Sequence, residues 1–465
     1  MRRSLVIAGT ALAVTAASAH AQGSSVLTHS SCSMARGGAG VAAPCADGSA
    51  ILFSPAALTM QPSTIGLGVA GITQEREFTF DATGERLRTD AETTQVPYGY
   101  ASYRFSERLA AGIGVFAPYG AGIEWPLEFE GRFVSYDSDL RNIYIQPTVA
   151  FQAAPWLSVG AGVDVVRASI EINQRLDLAT TPTGALNPVT GAPLTFGNLG
   201  VPLGTDFAEA RLEGNGTGYG FHLGAIARFS DRFSVGARYL SSVEIDYEGD
   251  ATFSAVPTGL TLAAGNPLRA PAGTPVDLLI APQFTSGSLV NQGLATSLTL
   301  PDQLVVGVAV RPVPALQLMA DYQWTGWEKF DEAPIDFETS TDQVLVLDYQ
   351  NTDTWRLGAE FAATNALALR AGFIYNTAAE REFSVSPLLP EAERNYYTAG
   401  IGYRLANGLG IDVGYQYIDQ SDRRGRVRGR EPGLSEAQLR ALNVGVYSVD
   451  ASVLGITLSY HLGGR

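Results

Sequence analysis

Hydrophobic and polar residues alternate with a period of two along most of the chain. In one clear segment Trp355, Leu357 and Phe361 share one face, while Arg356 and Glu360 share the other. This period is typical of β-strands with one apolar face. We count about fourteen such segments and interpret each as a strand. They cover residues 64–80, 96–105, 108–117, 142–153, 156–176, 215–229, 232–249, 292–311, 314–328, 349–362, 365–379, 393–404, 407–420 and 450–462.

Short and long connections alternate between these segments. Tight turns such as Ser106-Glu107 and Ser230-Asp231 are followed by long polar connections such as 118–141, 177–214 and 250–291. Outer-membrane barrels have this layout, with short periplasmic turns and long external loops. The predicted fold class is therefore all-β, a transmembrane antiparallel β-barrel of about 14 strands. A secreted soluble β-sandwich or β-solenoid would share the alternation, but it would not need the regular change in connection length.

Composition and charge exclude several other classes of protein. Only 17% of the residues are charged and 46% are hydrophobic, so the chain is not intrinsically disordered. A net charge of −15 would repel a phosphate backbone, so we expect no nucleic-acid partner. Four histidines and two cysteines give little basis for a metal site, and we expect no cofactor.

The N-terminal residues have the pattern of a secretory signal peptide. Arg2 and Arg3 precede an apolar stretch, and Ala19-His20-Ala21 is a small-x-small cleavage site. We expect cleavage near Ala21, which would remove residues 1–21; an uncleaved membrane anchor is the alternative. No later segment reaches the ~18 apolar residues of a transmembrane helix, so a membrane location requires a closed barrel.

Residues 22–63 precede the first predicted strand and do not alternate. They are rich in small residues from Gly37 to Ala43, which favours a plug packed inside the barrel over a periplasmic tail. Asp47 follows, and then Phe53-Ser54-Pro55-Ala56. Together with later stretches such as Trp355-Arg356-Leu357-Gly358, these segments resemble the FadL/TodX-type outer-membrane transporters of hydrophobic compounds. Ser54 stands where that family usually has asparagine.

The resemblance implies a domain organisation. Residues 22–63 would form an N-terminal hatch, or plug, inside a barrel of residues 64–465. The hatch would shift to open the way for cargo. The segment of the hatch that would act as the gate consists of Phe53, Ser54, Pro55 and Ala56.

The resemblance also implies a function, which is passive uptake of hydrophobic compounds across the outer membrane, most directly of long-chain fatty acids. The protein would act as a monomer in contact with outer-membrane lipid. Cargo would leave sideways into the membrane near a kinked third strand. In this sequence Gly112, Gly114 and Pro118 would weaken that strand, although packing of the glycines against the hatch is the alternative.

Two sets of residues are candidates for ligand contact. The predicted 118–141 loop carries aromatic residues that would form an external capture groove, or else pack as a lid against other loops. These aromatic residues are Trp125, Phe129 and Phe133. Arg356 and Arg370 face the lumen and would bind a ligand carboxylate; the alternative is that they brace the wall through internal salt bridges.

Cys32 and Cys45 both lie in the predicted hatch. Export to an oxidising compartment favours a disulfide between them. We expect this disulfide to stiffen the hatch and to have no redox or metal-binding role.

Two other functions stay open at this point. A general diffusion porin for polar solutes would share the barrel but would need an open lumen. An outer-membrane enzyme acting on lipid would need an acid–base constellation, and neither His222 nor His461 has a partner that is visible in the sequence. We therefore expect a protein that is not an enzyme.

Overall fold

The computed structural model describes residues 29–187, 191–430 and 433–462, so the predicted signal peptide at residues 1–21 lies outside the described residues. Fourteen antiparallel strands form the wall. In chain order they are β1 Thr64–Phe80, β2 Glu92–Arg104, β3 Leu109–Glu124, β4 Asp137–Ala154, β5 Leu157–Asp177, β6 Asp206–Ser230, β7 Phe233–Leu240 with Val243–Ala255, β8 Gln292–Leu300 with Gln303–Val313, β9 Leu316–Thr325, β10 Thr352–Ala362, β11 Leu367–Asn376, β12 Arg394–Arg404, β13 Leu409–Gln420 and β14 Gly445–His461.

The sheet closes on itself. β1 pairs with β14 from the Thr64–His461 pair to the Phe80–Gly445 pair, and the other strands pair with their neighbours in chain order. The prediction of a 14-strand antiparallel barrel is confirmed. Closure gives the backbone groups of the first and last strands their partners within the sheet, as a hydrocarbon environment requires.

The two faces of the strands have opposite chemistry, as the alternation predicts. On β10, Trp355 is 56% exposed and Leu357 is 57% exposed, whereas Arg356 between them is 4% exposed. Apolar side chains therefore point outward to lipid and charged side chains point into the lumen. A cation on the lipid side at mid-depth would cost ~2–4 kcal/mol, so this orientation is the stable one.

The third strand is longer than the alternation predicts. The pattern places its end before Pro118, and this prediction is wrong, because β3 continues to Glu124. Pro118 lies in an irregularity of the β3–β4 pairing between Phe116 and Tyr119, after which the pairing resumes. Proline has no N–H for the ladder, but a bulge accommodates it without ending the strand.

Residues 29–63 fold inside the barrel as the hatch, so the prediction of a plugged barrel is confirmed. Two short helices, α1 Ser31–Ala35 and α2 Ala50–Phe53, are followed by a 3₁₀ helix at Pro55–Met60. Cys32 and Cys45 form a disulfide that joins α1 to the segment before α2.

Hydrogen bonds and close backbone contacts fix the hatch to the wall. The N–H groups of Gly40 and Val41 donate to Oδ2 of Asp321 on β9, at 2.8 and 3.0 Å. On β11, a Cβ added to Gly372 would lie 2.2 Å from the backbone nitrogen of Gly37. Glycine is therefore required at that position of the wall, because the hatch backbone lies directly against it.

The external connections contain short elements that pack on one another. Among the described residues no helix is long and apolar enough to cross a membrane. Leu262 and Ile280 pack with Phe196 and Phe207 in an apolar cluster of their own. The short elements of these connections are strands Arg86–Arg88, Pro182–Leu186, Pro193–Thr195, Glu332–Phe337, Gln343–Val346 and Arg423–Gly425, helices α3 Val276–Ile280 and α4 Glu436–Ala441, and 3₁₀ turns Glu130–Phe133, Leu178–Thr180, Phe196–Leu199, Ala281–Phe284 and Trp327–Lys329.

Candidate functional site

On the external side of the hatch, polar side chains line part of the lumen at a common level. Strand pairing places them side by side from β4 to β10: Gly162 of β5 pairs with both Thr148 and His222, and Leu240 of β7 pairs with Gln303. Each of these polar residues is at most 6% exposed. We call them the lumenal belt, which consists of Gln146, Thr148, Asp164, His222, Arg238, Gln303, Gln323 and Arg356.

Arg238 and Arg356 form the cationic part of the lumenal belt. Nη1 of Arg238 donates to the carbonyl of Leu52 in the hatch at 2.8 Å, and its Nη2 donates to Oε1 of Gln303. Nη2 of Arg356 donates to Oε1 of Gln323 at 2.6 Å. Within the described part of the chain, the Nε atom of each arginine is buried without a hydrogen-bond partner. Each guanidinium group therefore keeps a donor for a ligand.

A cavity of about 20 Å³ lies between the two arginines and the hatch. It has room for about one water molecule. Its charged lining residues are Arg238, Arg356 and Asp321, so the lining carries one excess positive charge. Leu52 and Phe53 of the hatch complete the lining, and a shift of the hatch would enlarge the cavity.

His222 and Asp164 form a polar corner of the lumenal belt. Nδ1 of His222 lies 2.8 Å from Oδ1 of Asp164, and Nε2 lies 2.9 Å from Oγ1 of Thr148. Nε2 of Gln146 donates to the same Asp164 oxygen at 2.7 Å. The structure thus supplies the partners of His222 that the sequence does not reveal.

The two arginines predicted to bind a ligand do not lie together. Arg356 belongs to the lumenal belt, whereas Arg370 lies nearer the periplasmic turns. Arg370 donates to Oε2 of Glu360 at 2.6 Å and to Oδ1 of Asp412 at 2.5 Å. It lines a separate cavity of about 540 Å³ between the hatch and those turns. Ligand contact by Arg370 stays a prediction, and its two carboxylate partners favour the bracing alternative.

The aromatic residues of the third connection do not line an open groove. Trp125 is 2% exposed and Phe129 is 0% exposed, so the expectation of an exposed capture surface is wrong for these two. They pack into an external apolar cluster. Phe133 contacts the guanidinium groups of Arg132 and Arg428, at 4.3 and 4.2 Å from its ring centroid. The three aromatic residues form part of a lid, and their contact with ligand stays a prediction.

The wall is interrupted between β2 and β3. Their ladder ends at the Gly99–Val115 pair, and among the described strands their external halves are not paired with each other. Pro97 and Pro118 lie in the two separated halves, and neither has an N–H to donate across the space. We call this interruption the lateral gap.

Gly112 and Gly114 lie on the periplasmic side of the lateral gap. A Cβ added to Gly112 would lie 2.8 Å from Cδ1 of Ile51, and one added to Gly114 would lie 3.1 Å from Cγ2 of the same side chain. The glycines make room for the hatch, which is the packing alternative. The irregularity itself lies at Pro118.

The predicted gate segment joins α2 to the 3₁₀ helix of the hatch. Oγ of Ser54 donates to the carbonyl of Val41 at 2.6 Å, so this side chain fastens one part of the hatch to another. Pro55 packs against the wall, where a Cβ added to Gly224 would lie 2.7 Å from its Cγ. Phe53 lines the small cavity and Ala56 is fully buried. Gating by these residues stays a prediction.

A lid over the external end of the lumen contains a buried carboxyl group. Glu380 in the connection after β11 is 3% exposed, and burial raises its pKa to about 8. The N–H of Glu391, which donates to Oε2 at 3.1 Å, acts against this rise, as do the charges of Arg426 and Arg423. Burial is the larger effect, so Glu380 is protonated at neutral pH.

Asp164 and Arg238 are the charged site residues that sequence reasoning missed. The signal was present, because each lies in phase with the lumenal face of an alternating strand. Val163 and Val165 flank Asp164, and an aspartate between two outward valines must point inward. The alternation does not give the register between adjacent strands. This register places Arg238 beside His222.

The chain matches the family model described as outer membrane protein transport protein (OMPP1/FadL/TodX) over residues 12–462. It is 24% identical over 426 residues to the long-chain fatty acid transport protein of Escherichia coli, covering 88% of this chain and 89% of that one. The fold is similar to that of a Pseudomonas aeruginosa FadL homologue, with a TM-score of 0.78, 20% identity, and coverage of 95% of this chain and 100% of that chain. It is also similar to the Pseudomonas putida toluene transporter TodX, with a TM-score of 0.64, 17% identity, and coverage of 96% and 100%.

The family match extends over nearly the whole described barrel and its hatch. Proteins of this kind lie in the outer membrane of Gram-negative bacteria, which agrees with the closed barrel and its apolar outer face. The chain belongs to the OMPP1/FadL/TodX family of outer-membrane transport proteins.

Proposed function

We propose that this protein takes up long-chain fatty acids by passive diffusion and releases them sideways into the outer membrane. The observation that carries the proposal is the lateral gap, which opens the wall beside a lumen that the hatch closes. A solute that enters from outside meets the hatch below it and an interrupted wall to one side. The exit through the lateral gap is therefore shorter than a route through the hatch.

A third cavity supports the gap as the exit. It has a volume of about 180 Å³ and lies where β1 and β2 face the external end of β3. Gln74 and Thr94 line one side, and Ile123 and Trp125 line the other. Trp125 therefore lies beside the lateral gap, where it would contact cargo on its way to lipid.

The excess positive charge in the lining of the small cavity supports a carboxylate as cargo. Arg238 and Arg356 are buried with one carboxylate, Asp321, between them. Among the described residues, Nε of each arginine is buried without a hydrogen-bond partner, and a ligand carboxylate would accept from it through a charge-assisted hydrogen bond. A neutral aromatic hydrocarbon would fit the apolar walls equally well but would leave this charge unbalanced.

The hatch disfavours the general porin, because it occupies the lumen that polar solutes would need. We infer that a single chain carries out the transport, since the gap and the lumenal belt are both built from one barrel. The partner outside the protein is the outer-membrane lipid that faces β2 and β3.

A reversible cross-link across the lateral gap tests sideways release. Continuing the Gly99–Val115 register places Pro97 opposite Ala117. We expect that oxidation of the double variant P97C/A117C abolishes uptake of radiolabelled oleate by cells that have no channel of their own, and that a reductant restores it. The measurement is the initial rate of label accumulation.

A pair on strands that remain joined is the matched control. Ile401 on β12 is opposite Val413 on β13, so I401C/V413C places the same cross-link where no cargo passes. This variant should take up oleate at the wild-type rate in both redox states. Unchanged uptake after cross-linking at 97 and 117 would contradict lateral release, and absence of oleate uptake by the wild type would contradict the proposed cargo.

A further inference from the structure

A buried arginine lies at the external end of the lateral gap. Arg76 on β1 lines the cavity of about 180 Å³ that Trp125 borders from the other side, and we call this space the gap cavity. Arg76 is 6% exposed. Among the lining residues that the structure describes, it is the one charged residue that is buried. The gap cavity has room for several water molecules, so a carboxylate group fits inside it.

The guanidinium group of Arg76 has a neutral partner and lacks an ionised one. Its Nη2 donates to Oε1 of Gln74 at 2.8 Å. The charges that act on it are those of Arg394 and Glu391, and these two residues bind each other at 2.9 Å. Among the described residues, no carboxylate forms an ion pair with Arg76. A buried cation is stabilised by an anion that reaches it, so the gap cavity is a site for an anionic group.

The other charged residues of the lining are paired or lie in solvent. Arg88 donates to a glutamate of β1 at 2.6 Å, and Asp137 accepts from an asparagine of β5 at 2.8 Å. Asp90 and Glu124 are exposed. Solvent and salt screen exposed charges, whereas a buried charge is screened much less. An anion inside the gap cavity therefore interacts mainly with Arg76.

Arg76 lies at the depth where hydrocarbon gives way to lipid headgroups. Leu67 and Val69 on the outward face of β1 are apolar and exposed. Farther toward the external end, the same face carries Thr73 and Glu75. The apolar band of a membrane barrel ends where its outward side chains become polar. A carboxylate bound to Arg76 is therefore at headgroup depth and outside the hydrocarbon, where an ionised group would be costly.

The lateral gap extends from this depth into the hydrocarbon. The β2–β3 ladder ends at Gly99, which is opposite Leu67 of β1 within the apolar band. The external end of β2 is opposite Gln74, beside Arg76. An acyl chain that extends from Arg76 along the open part of the wall therefore reaches hydrocarbon, while its carboxylate stays at the polar end.

We propose that Arg76 binds the carboxylate of a fatty acid in the gap cavity while the acyl chain passes through the lateral gap into the membrane. This inference rests on the proposed function, because it concerns the same cargo and the same exit. The chain leaves first and the headgroup follows at its own depth, so the cargo stays ionised and its charge never crosses hydrocarbon. Arg76 also makes the exit selective for amphiphiles that have an anionic headgroup.

Quenching of Trp125 fluorescence by a brominated fatty acid locates the headgroup. The probe is hexadecanoate with bromine on the carbon next to the carboxylate, added to the purified protein in phosphatidylcholine nanodiscs. The difference in quenching between the wild type and W125F isolates the signal of Trp125. We expect this probe to quench Trp125, and we expect hexadecanoate with bromine at the chain end to quench it much less.

Substitution of Arg76 tests its role in binding. We expect R76Q to raise the probe concentration for half-maximal quenching of Trp125 roughly tenfold or more, as for the loss of a hydrogen bond to a charged group. R76K keeps the charge and should bind the probe more tightly than R76Q. R88Q is the matched control, because Arg88 lines the same cavity but is already paired. It should keep the wild-type concentration.

Several outcomes would overturn the proposal. It fails if R76Q binds the probe as tightly as the wild type, if R88Q weakens binding to the same extent, or if bromine at the chain end quenches Trp125 more strongly. If the probe quenches the wild type and W125F equally, cargo binds elsewhere, so this inference fails and the proposed function stands. A wild type that neither acid quenches and that takes up no oleate contradicts the fatty acid cargo itself. The heat-dependent mobility of each barrel on a gel shows that the variants fold.

Discussion

At the scale of single residues, Asp321 couples the hatch to the lumenal belt. Its Oδ2 accepts the N–H groups of Gly40 and Val41, and its charge lies next to that of Arg356. Hydrogen bonds to a charged group contribute about 1.5–3 kcal/mol each. One carboxylate thus fastens the hatch to the wall and also limits the excess positive charge of the cavity lining to one. A ligand carboxylate at Arg238 would compete with the hatch carbonyl of Leu52 for Nη1.

A second residue, Glu380, makes the external lid sensitive to pH. Its pKa of about 8 in the folded protein lies above the ordinary value of 4.5, so the folded protein binds one more proton than the unfolded chain between these pH values. Stability conferred by this group is complete below pH 4.5 and is lost as the pH rises toward 8, by at most about 1.4 kcal/mol per pH unit. We expect hydrogen exchange of the lid segment 377–393 to speed up over this range, after correction for the intrinsic rate.

E380Q should remove this dependence, because glutamine stays neutral at every pH. Its lid should be better protected than that of the wild type at pH 9, with little difference at pH 5. E382Q is the matched control in the same segment, since Glu382 is 59% exposed and should leave the profile as it is in the wild type. Equal exchange of wild type and E380Q at both pH values would contradict a buried neutral carboxyl group.

At the scale of elements, the hatch is too small to be stable alone. Its two helices have five and four residues, far below the length at which an isolated helix forms in water. Wall glycines, the hydrogen bonds to Asp321 and the disulfide hold it in place. The disulfide closes a loop that contains Arg36, whose Nη2 lies 2.8 Å from Sγ of Cys45.

Removing the disulfide should loosen the hatch and leave the barrel intact. A loop of this length gains about 3 kcal/mol from its cross-link in the chain-entropy model. We expect C32S/C45S to be cleaved by trypsin after Arg36, which is 3% exposed in the intact hatch, at a rate at least tenfold above that of the wild type. Mass spectrometry of the fragments locates the cut.

Hydrogen exchange of the barrel strands is the control for this prediction. Exchange in the external halves of β5 and β6 should be the same in C32S/C45S and in the wild type, because these halves pair with each other from the Val166–Gly218 pair to the Leu176–Ala208 pair. Equal trypsin rates at Arg36 would contradict a stabilising role of the disulfide in the hatch.

At the scale of the whole molecule, the hatch fills the lumen of the barrel. Apolar residues of the hatch and the wall form one large core through the lumen, including Met34, Ile51 and Tyr144. A barrel of this strand number without a plug would have room for water. The hatch therefore turns what would be a pore into a closed chamber with a gap in its side.

The filled lumen predicts that the protein conducts no steady ion current. We expect the purified protein in a planar bilayer to show no large steady conductance, because ions have no continuous water path past the hatch. A 16-stranded general porin recorded under the same conditions is the positive control. A steady conductance of porin size would contradict a closed hatch and would favour the porin alternative.

The sequence by itself determined the elements and their faces, because strand alternation and connection length are local properties. Fourteen strands, their order and the inward direction of Arg356 and His222 follow from these patterns. The small residues before the first strand indicate the hatch, although its gating residues and the outer limits of the domains stay predictions.

Only the tertiary structure decided which residues meet. The alternation cannot show that a bulge accommodates Pro118, that Trp125 is buried among other external connections, or that Arg370 donates to two carboxylates. It also cannot bring Asp164, His222 and Arg238 into one corner, since their separation along the chain is unrelated to their distance across three strands. Strand register depends on contacts between distant segments, and a sequence pattern with a period of two repeats without fixing where one strand lies against the next.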